Sequence, residues 1–488
     1  MPQWPQGCYL GVKVPLDGIP QIRTMRRPGP LRPAHRQLPD RPRLTRTTSP
    51  PPGTARPLPH LGLPQAVLVA LGMVLSTDSL KTAPTVAAHA PGGHVLLLWV
   101  AGALASMVGA LCYVEMAAAF PDSGGEYAFL RRAWGARLAR LYAWSRFAIM
   151  HTGWIALMAH LLADYATAIW PMGHGGRGLL ALAIVAALTG LNLVHVRLGF
   201  LTQAMLVALV AAGFAGITIA GFSTVPTAGQ AASLPVAGDA GGLGTALIYV
   251  FLAYGGWSDM ATLSGEVRGG RRAMLVVVIG ALTLLMVIYC ALNAALLHGL
   301  GLAGLASATA PGAELARVAF GPAGAWITVA IVAISATSSI NSTLIVCSRV
   351  TAAAARDHPA LAAVGAWHPQ RGTPARATLA VGGFALLLTA VSGLSESGFA
   401  AMVDYMTPVY WVFVLLGMAA SIRLRRRAPM HDWPVRTPLF PLFPAAFIVL
   451  SAAMLWSSLT QLGPGALAGA AVLALGLVLE RIGPKPAR

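Results

Sequence analysis

Apolar residues run through this chain in long blocks separated by short polar or glycine-rich connections, with little of the two-residue alternation that marks a strand. A helix needs roughly 20 apolar residues to cross the hydrocarbon of a bilayer. About twelve blocks qualify, near 62–88, 94–119, 138–168, 178–195, 198–221, 243–263, 273–299, 320–348, 376–393, 398–421, 440–460 and 464–480. The pattern predicts an all-α integral membrane protein of about 12 transmembrane helices.

Two of these blocks are interrupted. VLSTDSLKTAP, residues 74–84, puts Ser76, Thr77, Asp78, Ser79 and Lys81 near the middle of span 1, and FLAYGGWSDMATLSGE, residues 251–266, interrupts span 6 with glycines and polar side chains. An ionised side chain at that depth costs roughly 2.5 to 3.5 kcal/mol on insertion scales. A broken helix also frees N–H and C=O groups that hydrocarbon cannot satisfy, so it persists only where protein covers it or it lines a wet cavity. Both segments are therefore predicted to be broken helices beside a substrate cavity. They lie five spans apart, and because five is odd, a second copy of the first five spans enters the membrane upside down. The predicted core, 61–425, is such an inverted 5+5 repeat, with halves at about 61–222 and 243–422, followed by two peripheral transmembrane helices in 426–488. In span 2, Gly102, Ser106 and Ala110 form a small-residue face suited to close helix packing.

Composition agrees with this reading. The 488 residues are 56% hydrophobic and only 10% charged, too apolar for a domain that must cover itself in charge. A net charge of +18 would suggest nucleic acid in a soluble protein. Here the arginines sit in alternate connections: Arg131, Arg132, Arg137 and Arg140 after span 2, Arg268, Arg271 and Arg272 after span 6, Arg356, Arg371 and Arg376 after span 8, and Arg423 to Arg427 and Arg436 after span 10. The opposite side offers little beyond Arg177 and Arg317. The positive-inside rule accounts for the charge without nucleic acid and puts both termini in the cytoplasm, for a multi-pass protein of the cytoplasmic membrane.

Residues 1–60 hold 14 prolines and ten Lys or Arg without apolar periodicity, and are expected to be a disordered, basic cytoplasmic tail. Contact with anionic membrane lipid is one reading of that tail; a solvated segment or a misplaced start codon is the other. Cys8, Cys112, Cys290 and Cys347 are scattered and suggest neither a disulfide framework nor a metal site. The sequence shows no phosphate loop, zinc-type His-Glu spacing or nucleophile elbow, so neither an enzyme nor a cofactor is expected.

Three further segments carry a family resemblance. Tyr113 to Gly135 reads YVEMAAAFPDSGGEYAFLRRAWG; Tyr254-Gly255-Gly256-Trp257 is followed by Glu266-Val267; and Ser348-Arg349 leads through Ala355-Arg356-Asp357 to Thr373-Pro374. In order and spacing these resemble the amino acid-polyamine-organocation (APC) family of permeases over about residues 60 to 425. The resemblance implies the LeuT-like fold with helices 1 and 6 broken, and alternating access with substrate held between the two breaks. It also implies coupling to a proton or sodium. Where such permeases carry a glycine-rich G-x-G that binds the substrate carboxylate, this chain has Ser76-Thr77-Asp78, or Thr77-Asp78-Ser79 one residue on. The proline expected after the span-6 glutamate is replaced by Gly269-Gly270, and span 5 lacks the lysine that several proton-coupled relatives carry.

The expected substrate-binding residues are Ser76, Thr77, Asp78, Ser79, Tyr254, Gly255, Gly256, Trp257, Asp259 and His151, and the coupling-ion candidates are Asp78, Lys81, Ser338 and Ser339. Asp78 has three readings: counter-charge for an amine, proton carrier, or structural partner of Lys81 three residues on. Trp257 suits an occluding gate or plain packing, and Asp259 an ammonium contact or a helix cap. Ser335, Thr337, Ser338, Ser339, Ser342 and Thr343 supply hydroxyls to sodium or to their own helix carbonyls. Asp404, Arg146 and His160 are further intramembrane titratable groups. Secondary active transport of an amino acid or related amine, by symport or antiport, is the function expected. A transporter specific for cationic amines or polyamines with Asp78 as counter-charge, and a transport-inactive nutrient sensor on the same fold, are the alternatives. An intramembrane enzyme using Asp78, Asp259 and Asp404 is a more distant one.

Overall fold

The computed structural model describes residues 62–120, 125–194, 200–224, 240–258, 260, 267–268, 270–356, 363–366, 374–427, 436–461 and 463–482. The basic tail, Asp259, Glu266, Gly269 and Thr373 lie outside them. All of these residues fall in one compact unit, Arg56–Arg488.

Apolar blocks without strand-forming alternation give helices, and among the described residues there are no strands. Span 1 is two helices, α1 (Leu63–Val74) and α2 (Asp78–His89), bent by 56° at the break between them. Next come α3 (Val95–Ala119), α4 (Glu126–Trp134), α5 (Ala136–Ser145) and α6 (Thr152–Ala166), the last two joined by a π-helical turn, Arg146–His151. The chain continues through α7 (His174–Val194), α8 (Phe200–Ser223), α9 (Ala240–Ala253) and α10 (Gly270–Ser307). A short helix, α11 (Pro311–Phe320), precedes α12 (Pro322–Arg356), α13 (Ala375–Ser392), α14 (Gly398–Arg427), α15 (Leu442–Thr460) and α16 (Gly465–Ile482).

Nine helices among the described residues are long and apolar enough to cross a membrane, and the bent α1–α2 pair makes a tenth. Gly241–Ala253 and Gly465–Val478 are apolar but shorter. The outside of the bundle is apolar as well: Met205, Val449, Trp456 and Leu467 are each at least 65% exposed. In water that surface would drive aggregation; in lipid it is the natural boundary.

Close packing carries the interior. The small-residue face of α3 receives α9 and α15: a Cβ on Gly102 would lie 2.3 Å from Val250 Cγ1, and one on Gly109 would meet the Phe447 ring at 2.8 Å. Buried polar links join the helices. Asn192 on α7 donates to Asn341 Oδ1 on α12 at 2.7 Å, and Tyr405 on α14 donates to Ala148 O in the π-helical turn at 2.8 Å. The end of α14 and the connection after it are both pinned to Glu115 of α3. Glu115 pairs with Arg425 at 2.9 Å and accepts both the Thr437 N–H, at 3.0 Å, and the Thr437 hydroxyl.

Candidate functional site

Helix α1 stops where its sequence turns polar. Leu75 closes the last turn through its N–H to Leu71 O, 2.7 Å, and then adopts an extended conformation. Ser76, Thr77 and Asp78 are poor helix formers, because their side chains compete for nearby backbone groups. Ser79 Oγ does so directly, donating to Ser76 O at 2.9 Å, and Thr82 Oγ1 donates to Ser79 O at 3.1 Å. Helix α2 starts at Asp78, where a carboxylate suits the positive end of the helix dipole.

Helix α9 ends opposite. After Ala253 the chain tightens through Gly255 N–H to Leu252 O, 2.9 Å, and reaches Gly256 at φ +89°. Only glycine takes that conformation cheaply. The site also leaves no room: a Cβ on Gly256 would stand 2.6 Å from Met73 O, at the end of α1. The two breaks thus meet backbone to backbone.

Tyr289, on α10, joins them. Its hydroxyl oxygen lies 3.3 Å from Val74 O and 3.3 Å from Ala253 O, and accepts the Ser76 N–H at 3.3 Å. Its ring packs with Trp99 of α3 and with Tyr254, centroids 5.5 and 5.3 Å away. Asp78 is 1% exposed; neither carboxylate oxygen completes a well-aligned hydrogen bond among the described residues, and the nearest donors are the Ser76 hydroxyl and the Asp78 and Ser79 N–H groups. A buried carboxylate without a well-aligned partner is costly, and such groups mark functional positions more often than structural ones.

Lys81 is not that partner. Its ammonium lies 2.7 Å from Asp164 Oδ2 at the end of α6 and donates to Thr309 O at 3.0 Å. Both residues lie within α2, so the three-residue spacing is intact, and the lysine instead takes a long-range partner on α6. Arg177 of α7 holds the other oxygen, Asp164 Oδ1, at 3.3 Å. This cluster rims a cavity of about 310 Å³ lined in part by Lys81, His89, Asp164, Arg177, Tyr249 and Phe399.

The other expected residues divide. Ser76, Thr77, Asp78 and Ser79 lie at the first break, Tyr254, Gly255 and Gly256 at the second, and Asp259 is outside the described residues. Thr77 Oγ1 donates to Ser335 Oγ on α12 at 3.3 Å, so Ser335 is the span-8 hydroxyl nearest the break by hydrogen bonding. Ser339 instead accepts from Trp154 Nε1 at 2.9 Å, and Ser338 is largely buried one residue before it. Trp257 is fully buried against Tyr113 and Phe447, ring centroids 5.2 and 5.5 Å away. Tyr113 in turn donates to Glu126 Oε1 at 2.7 Å, and Tyr142 to Glu126 Oε2 at 2.8 Å. His151 closes the π-helical turn, with its Nδ1 buried and without a partner among the described residues. His160 bonds Ser392 Oγ at 2.8 Å, and Asp404 accepts the Gly463 N–H at 2.9 Å.

Sequence reasoning missed Tyr289, Trp99 and Asp164. The two aromatics stand in uninterrupted apolar runs and give no signal. Asp164 does give one, an acid near the end of span 3, but its partners lie 83 and 13 residues away.

Comparison with known proteins places this geometry. A family model described as amino acid permease matches residues 61–472. An uncharacterized transporter of Mycobacterium tuberculosis is 30% identical over 356 residues, 71% of this chain and 78% of the relative. The b(0,+)-type amino acid transporter 1 of Mus musculus is 23% identical over 390 residues, 78% of this chain and 79% of that protein. The Asc-type amino acid transporter 1 of Mus musculus is 25% identical over 411 residues, 81% and 76% of the two chains. These relatives point to a transporter rather than an enzyme. The match over most of the chain, around two helix breaks that face each other, makes this protein a member of the amino acid permease family, an APC permease.

Proposed function

We propose that this permease carries an amino acid or related amine by alternating access, with the cargo held between the breaks after Val74 and Ala253. The observation that carries this reading is the Asp78 carboxylate, buried at the break with neither oxygen completing a well-aligned hydrogen bond among the described residues. An intramembrane acid of that kind marks a pathway for a cation or proton. In this reading the core is an inverted five-plus-five repeat of 61–425, α9 and α16 complete a set of twelve spans, and both termini are cytoplasmic. The cavity beside Lys81 then opens to the outer face, and Thr77 with Ser335 stands where a coupling cation has oxygen ligands.

Specificity for a cationic amine is a second reading, favoured by one observation. Lys81, the cation nearest in sequence, is committed to Asp164, so the Asp78 carboxyl is left open to a cationic cargo. At about 4 Å two like charges repel by roughly 4 kcal/mol at an effective dielectric near 20, which bars a substrate carboxylate from an ionised Asp78.

Uptake into proteoliposomes of a panel of radiolabelled amino acids and amines, under imposed proton and sodium gradients, tests both readings. Accumulation of a zwitterion by wild type, with Asp78→Asn exchanging but not accumulating, supports proton coupling at Asp78. Accumulation of amines alone, abolished by Asp78→Asn, supports the second reading. Binding without any accumulation would move the chain to the sensors.

A further inference from the structure

Tyr289 belongs to neither broken helix, yet three backbone groups of the two breaks converge on its hydroxyl. It accepts the Ser76 N–H at 3.3 Å and lies 3.3 Å from the carbonyl oxygens of Val74 and Ala253. Those carbonyls end α1 and α9. The last carbonyls of a helix have no partner within it, and at this depth an unsatisfied one is costly.

The side chain is completely buried. Its ring is packed by Trp99 of α3 at 5.5 Å, Phe214 of α8 at 6.3 Å and Tyr254, in the turn after α9, at 5.3 Å. A phenol has one proton. Two carbonyls share it, and the separations of 3.3 Å are at the long end for an oxygen donor.

We propose that Tyr289 is a positioning residue for transport: its hydroxyl fastens the end of α1 to the end of α9 and so holds Asp78 and the two breaks in the geometry that receives cargo. This rests on the reading that cargo is held between the breaks. Simple packing would need only the ring; positioning needs the oxygen.

Tyr289→Phe in the full-length chain separates the two. In proteoliposomes supplied with whichever amino acid or amine gives the largest wild-type uptake, the apparent KM is expected to rise about tenfold, and Vmax to change less than KM. Without any ligand, hydrogen exchange of the Ser76 amide is expected to be faster in the variant than in wild type. Wild-type KM together with unchanged Ser76 exchange would overturn the proposal, since the ring alone then suffices. A fall in Vmax at constant KM would overturn it too. So would failure of Tyr289→Phe to insert, which would make the hydroxyl a folding requirement. If wild type takes up nothing from the panel, the transport reading fails by itself, and the ligand-free exchange still decides the bridge: faster exchange supports it, unchanged exchange sinks it.

Discussion

Lys81 Nζ lies 2.7 Å from Asp164 Oδ2, so the lysine three residues beyond Asp78 is fastened to the end of α6. Asp164 is shared, because Arg177 approaches its other oxygen at 3.3 Å. Removing the acid strands two cations; removing the lysine leaves the acid one partner. Asp164→Asn is therefore expected to destabilise the protein by about 3 kcal/mol, the range for breaking a buried ion pair, and Lys81→Met by less. Thermal unfolding in detergent checks the order. A larger loss for Lys81→Met would show that its bond to Thr309 O matters more than the ion pair.

Asp78→Asn should behave in the opposite way. It keeps the shape and replaces a buried carboxyl whose oxygens complete no hydrogen bond among the described residues. The melting temperature is expected to hold or rise while gradient-driven accumulation falls, the pattern of a residue kept for function at the expense of stability. A drop of several degrees would mean that the carboxylate has a structural partner.

Gly256→Ala adds one methyl group where φ is +89° and Met73 O stands 2.6 Å from the new carbon. The strained conformation alone costs roughly 1 to 3 kcal/mol, and the opposing atom is backbone that cannot rotate away. Transport is expected to be lost and membrane yield reduced. Near-normal uptake by this variant would show that the two breaks separate more easily than their contact implies.

Glu115 and Arg425 offer a cleaner energetic test, because both lie away from the breaks. Glu115 is 3% exposed and Arg425 14% exposed by side chain, and Arg425 also lies 3.9 Å from the Phe440 ring centroid. A double-mutant cycle with Glu115→Gln and Arg425→Met is expected to give a coupling energy of about 1 to 3 kcal/mol in unfolding. Additive effects would mean that the two charges stand side by side without stabilising one another.

The break in span 1 and the end of α9 at the glycine pair were legible in the sequence because polar residues and glycines at mid-span are costly in an unbroken helix facing lipid. The helical blocks were legible from their length, although α11, a ten-residue helix opened by Pro311, reads in sequence as part of a loop. Side-chain direction was not legible. Trp257 follows a glycine pair, which suggests an aromatic facing the cargo, but its ring packs on Tyr113 and Phe447, and Phe447 comes from a span expected to be peripheral. Lys81 shows the same limit. It stands three residues from Asp78 on one helix, α2, yet the partner that it takes is 83 residues along the chain. Tyr289 lies in an apolar run where no pattern distinguishes a tyrosine that packs from one that binds.

Glu126 receives the hydroxyls of Tyr113 and Tyr142, and Trp257 rests on the Tyr113 ring. The stretch from Tyr113 to Gly135, one of the segments that carry the family resemblance, therefore supplies the carboxylate and one tyrosine of a joint whose second tyrosine, Tyr142, follows on α5. Gly417 leaves the space for it, since a Cβ there would stand 2.1 Å from the Tyr113 hydroxyl. The segment thus acts as a fastening, with its carboxylate engaged by two phenols.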